Sequence, residues 1–171
     1  MATVDHVVET MPGRGDATRI PRGAEFIAGL RAGCRKSGIR LFDLGDPEQG
    51  IVHVIAPELG IALPGVTLAC GDSHTCTVGG VGTLGFGVGS SDGEAILATQ
   101  CLLLVRPRTM RVRIDGVLAA GVTAKDAVLL LIRRISAEGA TDHAVELCGT
   151  AVAAMSVEER LTLCNMAAEF G

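Results

Sequence analysis

The stretch CGDSHTCTVGGVGTLGFGVGSSD, residues 70–92, sets an acid, an alcohol and an imidazole side by side, Asp72, Ser73 and His74, and then runs into glycines. An imidazole donates or accepts a proton near neutrality, a neighbouring carboxylate favours its charged form, and a hydroxyl orients a substrate oxygen. Such a trio suits proton transfer on a small oxygen-bearing substrate. Neighbouring residues of an extended chain point to opposite sides, so the triplet alone predicts no serine–histidine relay. Neither a nucleophile elbow nor a third partner at a suitable spacing accompanies it, and an independent hydrolase is not expected.

The glycines that follow, Gly79, Gly80, Gly82, Gly85, Gly87 and Gly89, serve equally well as a cradle of exposed amides for an anion or as a tight packing element. No Gly-Lys-Ser/Thr follows for a phosphate loop, and GFGVGS from Gly85 is only a partial dinucleotide fingerprint. Two more histidines carry weight. Asp5–His6 is a second acid–imidazole neighbour pair, and His53 lies among apolar residues in QGIVHVIAPELG. Taken alone, the plainer reading of each is a satisfied or surface histidine; His143 reads as structural.

Several elements must position these groups. Residues 21–38 place Phe26, Ile27, Leu30 and Cys34 on roughly one helix face, with Gly38 as the stop. IRLFDL (39–44) reads as a strand, and VTLAC (66–70) as a buried one that delivers Asp72–His74 just beyond its carboxyl end. SSDGEAILATQCLLL (90–104) has helical spacing, and MRVRIDG (110–116) alternates as a strand with one wet face. A helix over 123–139 is capped by Thr123 with Asp126 and closed by Gly139. A strand over 142–149 follows, and then a helix over 156–170 that opens with Ser156 and Glu159. Strands alternating with helices predict an α/β layer structure, partly or mainly parallel, in a single domain over 1–171.

Composition narrows the function classes. With 171 residues, 48% hydrophobic and 20% charged, the chain can bury a real core. A net charge of -4 and 2% aromatics give no footprint for nucleic acid. Apolar runs are too short for a membrane span, no export signal opens the sequence, and a cytoplasmic setting is expected. The six cysteines, Cys34, Cys70, Cys76, Cys101, Cys148 and Cys164, include no Cys-x-x-Cys pair. They read as reduced and mostly structural, with Cys76 the one beside the cluster.

GDSHT (71–75), QGIVHV (49–54), VDH (4–6), LATQ (97–100), RPRTMRVRIDG (106–116), GVTAKDAVLLLI (121–132) and LTLCNMAAEFG (161–171) occur in order along essentially the whole chain. Together they resemble the aconitase family, and within it the large subunits of 3-isopropylmalate dehydratases of leucine biosynthesis. The resemblance implies a segment of a three-layer α/β/α aconitase-like domain. It also implies a hydro-lyase that removes and re-adds water on a hydroxy dicarboxylate held on a [4Fe-4S] cluster. It makes Asp5 and His6 the pair that handles the leaving hydroxyl, His53 an active-site imidazole, and Asp72, Ser73 and His74 the acid, hydroxyl and imidazole beside the cluster. Glu169 is implied as catalytic, with Thr75 and Asn165 in the surroundings of substrate and cluster. Positions 165 and 169 share a helix face by spacing.

Departures from the family pattern bear on activity. Members are longer at both ends, and their cluster cysteines, one distant plus a Cys-x-x-Cys, lie beyond where this sequence stops. None of the six cysteines matches them. The chain alone is therefore expected to bind no cluster and to dehydrate nothing. A cluster-binding chain and a small-subunit-like chain are the expected partners. Val78 stands where a His is usual and Asp142 where a Gly is usual, and TCTVGGVG raises a relative acting on maleate or citraconate-like acids. The alternative is a truncated, non-catalytic paralogue acting as a binding or assembly module. In either case, uncovered apolar faces are expected to drive self-association.

Overall fold

The computed structural model describes residues 1–171, which divide into two compact units, Met1–Ile61 and Ala62–Gly171. The class is mixed α/β, and every strand pairing is parallel, in three separate two-stranded pairs.

In the first unit, β1 (Ala2–Thr3) pairs with β2 (Leu41–Phe42), and α1 (Gly23–Ser37) connects them. Helix α1 buries Ile27 and Cys34, one heptad apart, while Phe26 turns outward at 58% exposure. The covered face is thus narrower than the four-residue stripe suggests. Gly38 closes the helix in the left-handed conformation (φ 65°), donating to the Cys34 carbonyl. Arg31 then ties the unit together. Its guanidinium reaches Asp16 Oδ2 at 2.5 Å and Asp43 Oδ2 at 2.7 Å, holding both carboxyls below their ordinary range. Helix α2 (Val52–Glu58) follows and buries His53, Ile55 and Ala56.

In the second unit, β3 (Thr67–Cys70) lies parallel to β4 (Leu84–Gly87), with Thr67 opposite Leu84 and Cys70 opposite Gly87. A parallel pair needs a crossover of about a dozen residues, usually an α-helix. Here a 3-10 helix, Ser73–Val81, provides it. Along β3, Thr67 and Ala69 are exposed and Leu68 and Cys70 half-covered, so the strand expected to be buried is not. The physical reason is that a parallel pair is buried only when layers cover both faces, and the crossover covers one. Helix α3 (Ser90–Thr99) has no buried residue. It ends five residues before its expected close, because Gln100 turns left-handed (φ 57°) and its N–H closes on the Ile96 carbonyl.

The third pair joins β5 (Arg108–Arg113) to β6 (His143–Cys148), linked by α4 (Ala124–Ile135). Thr123 and Asp126 form the full reciprocal cap of α4. The helix stops at Ser136 (φ 72°), short of Gly139, whose missing Cβ makes room for the Ile135 carbonyl. Helices α5 (Thr150–Ala154) and α6 (Val157–Asn165) complete the layer, and Ser156 with Glu159 caps α6 as its sequence predicts. Val128, Leu163 and Phe170 are fully buried together with Ala124, Ala140, Val152 and Met155. Met110, Val145 and Leu147 from the strands pack onto them. This core anchors the carboxyl end of α6, where the candidate site is built.

Candidate functional site

Asp72 is extended (φ -129°, ψ 132°), and its carboxylate Oδ1 accepts from the His74 backbone N–H at 2.7 Å, capping the 3-10 helix. Thr75 Oγ1 donates to the Asp72 carbonyl at 2.5 Å and tightens the same turn. Because the chain turns here, Ser73 and His74 do not point apart as an extended backbone would make them. Ser73 Oγ lies 3.2 Å from His74 Nδ1. The other ring nitrogen, Nε2, lies 3.1 Å from Glu169 Oε1, 95 residues further along. An ionised carboxylate only accepts, so Nε2 carries a proton and donates it to Glu169. Nδ1 then accepts from the Ser73 hydroxyl in the neutral ring or donates to it in the charged one.

Glu169 belongs to a second 3-10 helix, Met166–Glu169, that continues α6. The expected shared α-helical face of Asn165 and Glu169 is therefore interrupted: α6 ends at Asn165 and the chain tightens. Both side chains still reach the same element. Asn165 Nδ2 donates to Thr77 Oγ1 at 2.8 Å while Glu169 takes His74.

Three close approaches explain why the tract is rich in glycine. A Cβ on Gly85 would fall on the Thr75 carbonyl; one on Gly87 would stand 2.8 Å from the Asp72 oxygen. Both glycines let β4 lie directly against its own crossover. A Cβ on Gly80 would meet the Leu161 backbone nitrogen at 2.6 Å, so that glycine lets the 3-10 helix dock on α6. Of the two uses open to the tract, these three positions serve packing. Val78 is fully buried.

Cys76 is turned into the same contact, its Sγ 3.6 Å from the Asn165 carbonyl, and burial pushes its thiol up. Burial pushes Cys164 up to about 11. Both stay protonated near neutrality and behave as structural thiols.

Within the first unit, Asp5 carries two contacts. Its Oδ2 accepts from the Val52 backbone N–H at 2.9 Å, at the start of α2, and its Oδ1 meets His6 Nδ1 at 2.8 Å. Thr3 Oγ1 to the Gly50 carbonyl (2.9 Å) and Gln49 Nε2 to the Val4 carbonyl (2.6 Å) fasten the same approach. His53 sits on α2 one residue past the capped N–H and is 6% exposed. Val7 is left-handed (φ 57°), an uncommon state for a β-branched residue, and it borders a cavity of about 370 Å³ shared with Asp5, His6, Phe26 and Leu30. His143 Nδ1 donates to the Thr141 carbonyl at 2.8 Å, consistent with its structural reading.

Asp72, Ser73, His74, Thr75, Asn165 and Glu169 thus form one hydrogen-bonded group within the second unit, and Asp5, His6 and the helix bearing His53 another within the first. Thr77 belongs to the former and carries no signal in the sequence beyond its place in the tract.

The aconitase family (aconitate hydratase) matches residues 1–171. The 3-isopropylmalate dehydratase large subunit 1 of Bradyrhizobium diazoefficiens is 54% identical over 170 residues, covering 99% of this chain and 35% of that protein. The chain spans about a third of the length of this relative. With the motif segments, the α/β scaffold and the whole-length family match in agreement, the chain belongs to the aconitase family.

Proposed function

We propose that this chain supplies part of the proton-handling side of a hydro-lyase that dehydrates and rehydrates a hydroxy dicarboxylate of the 3-isopropylmalate type. In this reading Asp5 and His6 handle the departing hydroxyl, and His53 lines the same site. Ser73 orients a substrate oxygen. His74, oriented by Glu169, holds and returns the proton, while Asp72, Thr75 and Asn165 shape its surroundings. The single observation that carries the reading is the contact of His74 Nε2 with Glu169 Oε1 in a chain of this family, since a carboxylate fixing one ring nitrogen leaves the other for proton exchange.

The [4Fe-4S] cluster implied by the family is not assigned to the cysteines beside His74. A cluster is held by thiolates, whereas Cys76 and Cys164 are kept as thiols by burial, and no three His, Cys, Asp or Glu side chains gather to hold a metal ion. The thiolates are assigned to another polypeptide or to a further part of the same protein, and a small-subunit partner completes the enzyme in the cytoplasm. The second reading, a substrate of the maleate or citraconate type, rests on the TCTVGGVG stretch of residues 75–82.

The test assembles this chain with a polypeptide carrying the cluster cysteines and a small subunit, under anaerobic iron and sulfide. Brown colour and turnover are expected with the partners and neither with the chain alone. In that assembly His74→Gln should lower kcat by about 10²–10⁴-fold with cluster absorbance unchanged. Full turnover by the variant, or no turnover in any combination, overturns the proposal.

A further inference from the structure

Beneath the exposed His74–Glu169 pair runs a buried thread of hydrogen bonds. Thr77 Oγ1 donates to the His74 carbonyl at 2.6 Å and accepts from Asn165 Nδ2 at 2.8 Å. A hydroxyl has a single hydrogen. Once that hydrogen is committed to the His74 carbonyl, only the amide nitrogen of Asn165 satisfies the second contact, which fixes both bond directions. Thr77 itself is 7% exposed, so water does not compete for either bond.

The pair above is in a different situation. The side chains of His74 and Glu169 are 37% and 51% exposed, and an ion pair that wet does not hold two segments in register. Local bonds near His74 include Ser73 Oγ with Nδ1 of the ring, Asp72 Oδ1 with the His74 N–H, and Thr75 Oγ1 with the Asp72 carbonyl. These shape the turn without connecting it to the segment that carries Glu169. Thr77 makes a short, oxygen-centred connection to it, beside the longer contact of Cys76 Sγ with the Asn165 carbonyl at 3.6 Å. Its hydroxyl joins the backbone of His74 to the last residue of α6, from which the Met166–Glu169 turn departs.

We infer that Thr77 is a positioning residue: its hydroxyl sets the separation between His74 Nε2 and the Glu169 carboxylate. The importance of this for catalysis rests on the proposed function, but the coupling itself is measurable in the chain without turnover. Valine has nearly the shape of threonine and no hydroxyl, so Thr77→Val leaves the His74 carbonyl and the Asn165 amide without this link. Serine keeps it.

The experiment records ¹H–¹⁵N correlations of the imidazole nitrogens in the 171-residue chain at one neutral pH, with His74 assigned by its loss in His74→Gln. Glu169→Gln gives the signature of a ring that has lost its carboxylate. Thr77→Val is expected to move the His74 ring signals to that signature, and Thr77→Ser to return them to the parent positions. Asn165→Ala, which removes the same thread from its other end, is expected to act as Thr77→Val does, with no further shift in the double variant. It carries the test by the same criterion should Thr77→Val not fold. Ring signals unchanged in a folded Thr77→Val or Asn165→Ala chain, or not restored by serine, overturn the inference. Loss of turnover in the assembled His74→Gln enzyme is a separate measurement, so the positioning role and the catalytic reading fail independently.

Discussion

At the residue scale, the sequence makes the chemistry-bearing types legible, and the fold decides which of them meet. Asp72, Ser73 and His74 announce themselves by adjacency, yet their geometry does not follow from it, because the 3-10 turn brings Ser73 Oγ to the ring that an extended chain would turn away. Glu169 as partner of His74 is invisible to any local reading, since 95 residues separate them. Arg31 shows how the same limit applies to stability. Its bonds to Asp16 and Asp43 hold both carboxyls below the ordinary 3.8, so their folded-state pKa values lie below the unfolded ones. That contribution is present above the ordinary value and lost as pH falls through the depressed one. Arg31→Met should therefore lower the urea midpoint near neutrality and flatten its fall between about pH 5 and pH 2. An unchanged acid limb in the variant would show that solvent screening leaves these pairs without effect.

At the element scale, helices whose start signals are local were readable. The reciprocal caps Thr123–Asp126 and Ser156–Glu159 sit where the spacing puts them. Helix α2 was not readable, because its first N–H is satisfied by Asp5, 47 residues upstream. Strand β4 was not either: Leu84–Gly87 alternates glycine with larger residues, a composition of low strand propensity, and it is extended by pairing with β3. The glycines of that strand are steric requirements. Gly85→Ala places a methyl against the Thr75 carbonyl and should destabilise the chain by roughly 1–3 kcal/mol, with Gly89→Ala, in open space, as the matched control. Equal denaturation midpoints for the two variants would refute close packing as the reason for Gly85.

At the scale of the whole molecule, the parallel pairing and α/β class were legible from alternation of elements, whereas the extent of uncovered surface depends on tertiary packing that local spacing does not encode. Leu103 is 99% exposed and Val105 95%, beside a helix α3 that buries nothing. Surface of this kind is sticky in water. Sedimentation is expected to show concentration-dependent association, reduced by the paired change Leu103→Asp and Val105→Lys; a parent chain that stays monomeric over the same range rules this out. No helix is long and apolar enough to cross a membrane.

The double duty of Asp5 carries a warning for any mutational scan of this chain. One carboxylate both opens the helix bearing His53 and meets His6, so an alanine there merges a folding defect with a chemical one into a single score. Asparagine keeps an oxygen for Val52 while removing the negative charge, and the difference between those two substitutions is what separates architecture from reactivity at this position.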